Sequence, residues 1–509
     1  MVKKQIIDKG KFKVLVGYPP ADSTKGVAQL GQNRQFQYFH NPTFLYPVIP
    51  ATAATMLKVN GYKVIWKDAI AEGLTEQQFL EYLNNEKPNL FALESKAPTI
   101  KIHWNFINKA KKLFPNIKIV LMGDHVSAFP DESLKHSNVD YVLVGGHYDF
   151  ALLELCDAII NNSKIPNGFW YKNKGKIING ARYQLTRNLD EAPFPDRELT
   201  KCFVHYQKEY NIRGRPFAYT MTGRDCWWGK CTFCVWDSNL FPKGTFRSRT
   251  PKNAADEVEM LVNKYGVKEI FDDCGTITIG KWLTDFCNIL IERGLNKKVD
   301  YSCNMRFGYR NLKDYNLMKK AGFRLLKFGL ESANQKTLQM LDKDVDVSQI
   351  IDECKEIKKA GLIVHLTMMV GYPWETKQDA LNTLKIAKYL MHKGYADVLQ
   401  STVVMPYPGT PMWHQAVENN WFLPGISPYD YEKYDMTMPL LKTVDATPEE
   451  IMEICDSIYT KVFLHPNYIY QHLKKIKSLK DIKYTLRGIK AVAGHIKDFA
   501  RDPSKQFSD

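Results

Sequence analysis

The feature that most limits the fold of this chain is a repeated alternation of short apolar runs with amphipathic stretches of helical period. The first series covers about residues 10 to 162 and opens with the run KVLVGY, which is followed by the helical pattern VIPATAATMLKVN. Strands that alternate with helices are joined by right-handed crossovers and lie parallel in one sheet. The sequence therefore predicts an α/β fold with a Rossmann-like, doubly wound N-terminal domain over residues 1–162.

A second alternation of the same kind begins near Pro216 and contains six strand and helix repeats. Six repeats fit a partial (β/α)6 barrel of the TIM type over residues 211–411, with its chemistry at the carboxyl ends of the strands. Between the two series, residues 163–210 are predicted to form a linker that contains a hairpin at residues 173–175. The sequence thus predicts two α/β units in succession.

The last part of the chain, residues 412–509, is predicted to be a mainly helical C-terminal domain that ends in a basic amphipathic segment. Its apolar positions recur every three or four residues: Ile469, Leu473, Ile476, Leu479, Ile482, Leu486, Ile489, Val492, Ile496 and Phe499. The whole chain has a formal net charge of +15, which bears on association rather than on fold. We expect this segment to pack on the barrel with its basic face in solvent. Peripheral contact with anionic lipid is the alternative.

The location of the protein follows from what the sequence lacks. There is no apolar segment followed by a small-residue cleavage site near the start, and no run of 18 apolar residues. Ten cysteines in 509 residues are too sparse for the disulfide framework of a secreted protein. We expect a cytoplasmic protein, with a peripheral position at the inner membrane surface if the C-terminal segment binds lipid.

Three of the cysteines are crowded into one loop. Cys226, Cys231 and Cys234 lie within nine residues, directly after the first strand of the second series. Three closely spaced thiolates can hold an iron–sulfur cubane and leave one iron open. A zinc site completed by a distant histidine is the alternative that the spacing leaves open. The spacing favours iron–sulfur, while the isolated Cys274 and Cys303 are expected to be ordinary buried thiols.

Small and polar residues follow the strands of the first series, where ligands of doubly wound sheets bind. These candidate ligand-binding residues are Tyr18, Pro19, Pro20, Ser95, Gly123, Asp124, His125, Gly145 and Gly146. The glycines would let the backbone approach a bulky, phosphate-bearing ligand. A histidine in such a loop is more often an ordinary loop residue than a ligand, so His125 alone establishes no site.

The cysteine loop resembles the three-cysteine motif of the radical S-adenosylmethionine (SAM) superfamily. Phe233 matches the aromatic residue before the third cysteine, which in the family packs near the adenine of SAM. The family's usual spacing is C-x3-C-x2-C, and this chain has one more residue between the first two cysteines. Similar family segments follow in the correct order at residues 247–249, 271–273, 329–332, 371–376 and 406–410. The resemblance implies a [4Fe–4S] cluster on the three cysteines and SAM bound by Phe233, Asp273, Arg306, Glu331, Ser332, Gly371 and Pro373.

An open α/β domain in front of such a barrel resembles the cobalamin-binding subgroup of this superfamily. The resemblance implies cobalamin at the strand ends of the N-terminal domain named above. Proteins that bind cobalt through a histidine carry a D-x-H-x-x-G loop, whereas Asp124 and His125 are adjacent here. We therefore expect His125 to line the edge of the corrin ring rather than to bind cobalt.

The resemblance implies an enzyme that methylates an unactivated carbon of a small-molecule or lipid-like substrate. The expected partners are this substrate and a ferredoxin or flavodoxin-type electron donor, with no nucleic acid. Cobalamin-dependent ring closure or rearrangement, as in the anaerobic porphyrin-ester cyclases, is the alternative within the class. A zinc-stabilised nucleic-acid-binding protein is a more distant alternative.

Overall fold

The computed structural model shows a mainly parallel sheet, then a fully parallel sheet and a helical C-terminal region. It describes residues 8–21, 23–31, 34–39, 42–208, 212–309, 311–474, 476 and 479–499, with the side chains of residues 480 and 491–499 left undescribed. The outer ends of the expected domains, residues 1–7 and 500–509, therefore lie outside the described residues, as do the side chains of Val492, Ile496 and Phe499.

The first sheet has seven strands. The strands of the N-terminal part are β1 (Lys13–Tyr18), β2 (Val27–Ala28), β3 (Tyr38–Phe39), β4 (Lys63–Asp68), β5 (Leu90–Glu94), β6 (Lys118–Met122), β7 (Tyr141–Leu143), β8 (Phe169–Asn173) and β9 (Lys176–Ile178). The order in the sheet is β4-β1-β5-β6-β7-β8-β9, while β2 and β3 form a separate antiparallel pair. Strands β4 to β7 are parallel in the sheet, and the β8–β9 hairpin continues it antiparallel from β7. The hairpin expected between the two units thus belongs to the first sheet.

The helices of this part connect the parallel strands. They are α1 (Val48–Val59), α2 (Ala69–Glu72), α3 (Glu76–Glu86), α4 (Ile100–Leu113), α5 (Asp124–Ala128), α6 (Pro130–His136) and α7 (Tyr148–Ile160). Helix α3 begins at a capping box in which Thr75 and Gln78 satisfy each other's backbone N–H groups. Helix α1 is buried on every face from Val48 to Leu57, which explains its lack of an amphipathic pattern.

The second sheet has six strands that are all parallel. The strands of the middle part are β10 (Phe217–Thr220), β11 (Gly223–Arg224), β12 (Arg247–Ser248), β13 (Glu269–Asp272), β14 (Asp300–Met305), β15 (Phe323–Glu331), β16 (Ile363–Val370) and β17 (Val398–Val403). The sheet follows chain order, β10-β13-β14-β15-β16-β17, and β11 pairs only with β12. The parallel α/β class predicted from the alternation is confirmed.

One short helix precedes the second sheet, and the other helices of this part follow its strands. They are α8 (Cys202–His205), α9 (Pro251–Tyr265), α10 (Lys281–Glu292), α11 (Leu312–Lys320), α12 (Gln335–Met340), α13 (Val347–Lys359), α14 (Lys377–His392) and α15 (Pro411–Glu418). The segment 247–249 resembles a family segment that opens a helix, whereas Arg247 and Ser248 form strand β12 here. Helix α9 begins directly after Thr250, whose side chain accepts a hydrogen bond from the Asn253 N–H. A proline occupies the first position of this helix.

The C-terminal region contains α16 (Pro448–Ile458), α17 (Pro466–Leu473) and α18 (Leu479–Phe499). None of the helices in the described part of the chain is both long and apolar enough to cross a membrane. Helix α18 contacts the barrel through the face opposite to the one that we expected. Its polar and aromatic side contacts the barrel through Asp481, Tyr484 and Arg487, and its apolar positions are exposed.

Candidate functional site

The cysteine loop leaves the carboxyl end of β10 and carries three unpaired thiols. Cys226, Cys231 and Cys234 are half-buried and form no disulfide. Burial raises the pKa of Cys231 to about 12, and the same cause raises the pKa of the other two thiols. The charge of Cys231 further raises the pKa of both Cys226 and Cys234, so the three thiols share one electrostatic environment. Iron binding would supply the positive charge that the thiolates need in this environment.

The loop is fixed by backbone hydrogen bonds to elements distant in sequence. The Thr232 N–H donates to the Leu341 carbonyl at 3.0 Å, and the Thr232 carbonyl accepts from the Met412 N–H at 3.0 Å. The additional residue of the motif lies in a turn in which Gly229 has a φ of +58°, a conformation that favours glycine. The indole N–H of Trp228 reaches the Asp342 carbonyl at 2.8 Å. The longer spacing is therefore accommodated in an anchored turn.

The described part of the chain contains no three His, Cys, Asp or Glu side chains arranged to hold one metal ion. In a cubane cluster each cysteine binds a different iron, so the thiolates do not converge on a single point. The buried carboxylate of Asp237 acts on all three thiols and raises the pKa of each. One of its oxygens, Oδ1, has no hydrogen-bond partner among the described residues. Three free thiols beside an incompletely satisfied buried carboxyl suit a cationic iron–sulfur core.

Arg34, from the N-terminal part, lies beside the cysteine loop and was not foreseen. Its Nη2 donates to Asp225 Oδ1 at 2.6 Å, and its Nε donates to Asp225 Oδ2 at 3.1 Å. The same guanidinium reaches the Asp273 carbonyl at 2.9 Å. Asp225 immediately precedes Cys226 and also accepts from the Gly275 N–H at 2.7 Å. A charge-assisted, bidentate pair thus ties the first residues of the loop to another part of the fold.

Two predicted SAM-binding residues, Asp273 and Arg306, flank the cysteine loop. The Arg306 guanidinium lies 3.8 Å from the centre of the Trp228 ring, and its positive charge lowers the pKa of Cys231. Burial raises the pKa of Asp273 to about 6, and its carboxylate accepts from Asn304 Nδ2 at 3.3 Å. Both residues follow strands of the second sheet, at the end where barrel enzymes bind their substrates.

The predicted residue Glu331 ends strand β15, Ser332 follows it, and both form polar contacts. Glu331 has a φ of +56° and forms an ion pair with Lys343 at 2.5 Å. The Ser332 hydroxyl donates to Glu375 Oε1 at 2.7 Å, which also accepts from the Thr337 hydroxyl at 2.6 Å. The second carboxylate oxygen of Glu375 has no hydrogen-bond partner in the described residues. This network leaves one buried acceptor for a ligand.

The remaining predicted SAM-binding residues are Phe233, Gly371 and Pro373. Phe233 is partly buried against the core. Gly371 has a φ of +91°, and a Cβ there would lie 3.0 Å from a methyl group of Ile451. Between Gly371 and Pro373, burial raises the pKa of Tyr372, and the charges of Glu331 and Cys231 raise it further. The end of β16 therefore lies on the same side of the barrel as the cysteine loop.

The residues predicted to bind cobalamin lie at the carboxyl ends of the first sheet. Tyr18, which precedes the buried Pro19 and Pro20, donates its hydroxyl to Glu94 at 2.5 Å. Ser95 Oγ lies 2.7 Å from His103 Nδ1. These contacts make Tyr18 and Ser95 parts of a buried polar layer.

The next strand ends carry Gly123, Asp124 and His125. A Cβ at Gly123 would lie 1.9 Å from the Ser95 carbonyl oxygen, so no other residue fits there. The Asp124 carboxylate is 3.6 Å from Lys96 Nζ. The His125 ring is buried against Tyr431 at 4.4 Å between centroids, and its Nδ1 has no hydrogen-bond partner among the described residues.

The strand ends of the first sheet contact the segment that follows the cysteines. The Gly146 N–H, next to Gly145, donates to the Leu240 carbonyl at 3.1 Å. Asn239 Nδ2 donates to the Asp124 carbonyl at 3.2 Å and to the Pro408 carbonyl at 2.9 Å. The carboxyl ends of the two sheets, where the ligands are predicted to bind, therefore face each other across residues 239–241.

The close packing of Gly146 against the Phe241 ring leads to a testable prediction. A Cβ at this position would lie 2.4 Å from the Phe241 ring, and the ring is buried. Gly146→Ala should destabilise the protein by about 1–3 kcal/mol, the usual cost of overpacking. Thermal unfolding of Gly146→Ala, alone and combined with Phe241→Leu, measures this effect. The double variant should recover part of the loss, and an unchanged melting temperature in the single variant would contradict the contact.

Residues 221–387 match the model of the radical SAM superfamily. The chain is 28% identical over 426 residues to an uncharacterised methyltransferase of Pyrococcus horikoshii, covering 83% of this chain and 88% of that protein. It is 25% identical over 462 residues to the anaerobic magnesium-protoporphyrin IX monomethyl ester cyclase of Rubrivivax gelatinosus, covering 87% and 78%. The fold is similar to that of TsrM, a radical SAM methyltransferase of Kitasatospora setae solved with cobalamin and a [4Fe–4S] cluster. The TM-score is 0.64 at 15% identity, with 96% of this chain and 100% of that chain covered.

The cysteine loop, the parallel barrel and the superfamily match over residues 221–387 together define a radical SAM domain, and the chain is an enzyme that contains this domain. Its relatives include a methyltransferase and an anaerobic cyclase. The domain implies a [4Fe–4S] cluster and SAM, which confirms these two predicted cofactors. Enzymes of this class act on a small-molecule substrate with an electron donor. The individual SAM and cobalamin residues stay predictions.

Proposed function

We propose that this chain is a cobalamin-dependent radical SAM methyltransferase that methylates an unactivated carbon of a lipid-like or other apolar scaffold. The observation that carries the proposal is the direct contact between the two ligand-binding ends, where the Gly146 N–H donates to the Leu240 carbonyl. Leu240 follows Cys234 by six residues, and Gly146 follows strand β7 of the first sheet. Cofactors bound at these two ends would lie on either side of one substrate.

When bound, the [4Fe–4S] cluster supplies one-electron cleavage of SAM, and methylcobalamin supplies a transferable methyl group. Cys226, Cys231 and Cys234 would hold the cluster through three irons and leave the fourth for SAM. Arg34 and Asp225 would keep the first of these cysteines in place, since their ion pair is largely buried. Arg306 would place positive charge beside the thiolates, where it lowers the pKa of Cys231.

The N-terminal strand ends would hold cobalamin. Gly123 and Gly145 have φ values of +131° and +101°, a conformation that favours glycine. Because glycine has no side chain, a ligand can approach the backbone at these turns. His125 would not bind the cobalt, because its ring is enclosed by Trp104, Phe129 and Tyr431. A solved structure of similar fold contains cobalamin together with the iron–sulfur cluster, which supports the assignment.

The substrate would bind inside the barrel. Asn304, Lys327, Thr367 and Gln400 are half-exposed although they lie on strands, and register pairs Asn304 with Lys327 and Thr367 with Gln400. Residues that reach solvent from the middle of a sheet line an internal space. Asn304 also contacts Asp273, next to the cysteine loop. An apolar scaffold would therefore bind here through a polar substituent.

Ring closure or rearrangement is the second candidate function, and the relation to an anaerobic cyclase favours it. The two reactions need the same cofactors, so their products distinguish them. For methylation we expect S-adenosylhomocysteine and 5′-deoxyadenosine to accumulate together during turnover with a ferredoxin or flavodoxin-type donor. 5′-Deoxyadenosine alone would contradict methylation.

The cofactor content of the anaerobically purified protein tests the class of site before any substrate is known. We expect iron, acid-labile sulfide and corrinoid, with about four irons in each chain for one cubane. Zinc without iron would contradict the radical SAM site. Iron and sulfide without corrinoid, after reconstitution with cobalamin, would contradict only the cobalamin proposal.

A further inference from the structure

The segment 464–489 exposes an unusual number of large apolar side chains. In the described part of the chain, sixteen large apolar side chains are exposed, and eight of them lie in this segment. These eight residues form the C-terminal apolar surface: Leu464, Ile469, Tyr470, Leu473, Leu479, Ile482, Leu486 and Ile489. The other eight are scattered between Val59 and Val444, as is usual for single exposed side chains. A concentrated apolar patch marks a binding surface.

Helix α18 is held to the barrel by its other side. Arg213 forms an ion pair with Asp481 at 3.2 Å, and Arg487 Nη2 donates to the Ile212 carbonyl at 3.1 Å. The Arg324 guanidinium lies 5.7 Å from the centre of the Tyr484 ring.

The apolar residues occupy the opposite face of the same helix. Leu479, Ile482, Leu486 and Ile489 follow one another by three, four and three residues, so they form one stripe along the helix. This stripe points away from the face that carries Asp481, Tyr484 and Arg487. Leu479 is 77% exposed and Ile489 is 60% exposed. The apolar face thus lies largely outside the core of the protein.

The charge around this surface indicates the chemistry of the partner that it fits. Residues 461–490 contain eight Lys or Arg and one acidic residue, Asp481, which is paired with Arg213. Lys461, Lys474, Lys483 and Lys490 are exposed in the same segment. Two copies of so basic a surface would repel each other, which disfavours self-association. Apolar side chains flanked by lysines suit a bilayer with anionic headgroups.

We propose that the C-terminal apolar surface docks on an anionic lipid bilayer, with the helix lying in the plane of the interface. The apolar side chains would enter the boundary between headgroups and acyl chains, and the lysines would contact the lipid phosphates. Docking does not depend on the reaction. A role of this docking in the uptake of a lipid-like substrate rests on the proposed function.

Co-sedimentation with vesicles tests the proposal on the full chain with its cofactors. We expect at least tenfold tighter binding to phosphatidylcholine vesicles that contain 30% phosphatidylglycerol than to phosphatidylcholine alone, and weaker binding at high salt. The variant Leu479→Ser/Ile482→Ser/Leu486→Ser/Ile489→Ser should lose at least tenfold in affinity. Lys474→Gln/Lys483→Gln/Lys490→Gln should lose the preference for anionic lipid.

The control variant is Val59→Ser/Leu113→Ser/Val204→Ser, which removes exposed apolar side chains elsewhere and should bind as the unmodified chain does. An unchanged iron–sulfur absorbance spectrum in every variant shows that the fold is retained. Equal binding by the stripe variant, or a dimer that only the stripe variant disrupts, would overturn the proposal. Because the readout is sedimentation, a failure of methylation would leave this result unaffected.

Discussion

Replacing Cys231 with alanine should abolish the cluster and reduce turnover to the uncatalysed background, a fall of at least about 10⁶-fold. The loop supplies three thiolates, and none of the other seven cysteines lies between residues 226 and 234. Loss of one thiolate leaves an iron without its protein ligand, and such clusters depend on their cysteines. Iron analysis and the visible absorbance of the anaerobically reconstituted variant measure the loss.

The matched control is Cys303→Ala, which removes a buried thiol from strand β14. Because Cys303 is outside the loop, this variant should keep its iron, sulfide and absorbance. Full iron content in Cys231→Ala would show that the ligand assignment is wrong. Loss of iron in Cys303→Ala with a normal unfolding transition would place that thiol at the cluster.

The fold could be predicted to a large extent because its elements are regular. Apolar strand runs and helical periodicity are local properties, and they predicted the parallel α/β class that the structure has. The position of the β8–β9 hairpin was harder to predict, since pairing with β7 depends on which edge of the first sheet is free. The segment 247–249 shows the same limit, because β12 pairs with β11 across the cysteine loop.

The cysteines of the site could be found from spacing, whereas their surroundings could not. Arg34 lies 191 residues before Asp225 in the chain, in a loop without a periodic pattern. Its role depends on how the N-terminal part meets the barrel, and a single sequence contains no signal for that contact. Asp237 is similar, since only the folded structure shows that its carboxylate is buried beside the thiols.

Helix α18 shows why an amphipathic pattern alone cannot assign a partner. The spacing of Leu479, Ile482, Leu486 and Ile489 correctly predicted a helix with one apolar face. We expected that face to pack on the barrel because burial of apolar surface usually determines orientation. In the structure, the ion pair between Asp481 and Arg213 and the contacts of Arg487 fix the other face. Specific polar contacts therefore orient the helix and leave its apolar face outward.

A buried ion triad joins the first strand of the barrel to helix α9 and to the segment before the barrel. Arg197 and Glu257 are almost completely buried, and Arg197 Nη2 donates to Glu257 Oε1 at 2.9 Å. Arg249 donates to the second oxygen of the same carboxylate. Arg197 Nη2 also donates to the Tyr219 carbonyl at 2.8 Å, on strand β10. Both guanidinium groups lower the pKa of Glu257, so its carboxylate is ionised and balances two buried cations.

Glu257→Ala should destabilise the protein by about 3–5 kcal/mol, because it leaves two buried arginines without their shared counter-ion. Lys252→Ala is the matched control on the same helix, since Lys252 is 74% exposed in its ion pair with Asp256. An exposed pair of this kind contributes at most about 0.5 kcal/mol. Urea unfolding followed by circular dichroism compares the two variants. Equal midpoints would contradict this prediction, whereas a large shift for Glu257→Ala alone would show that the two buried arginines need this carboxylate as their counter-ion.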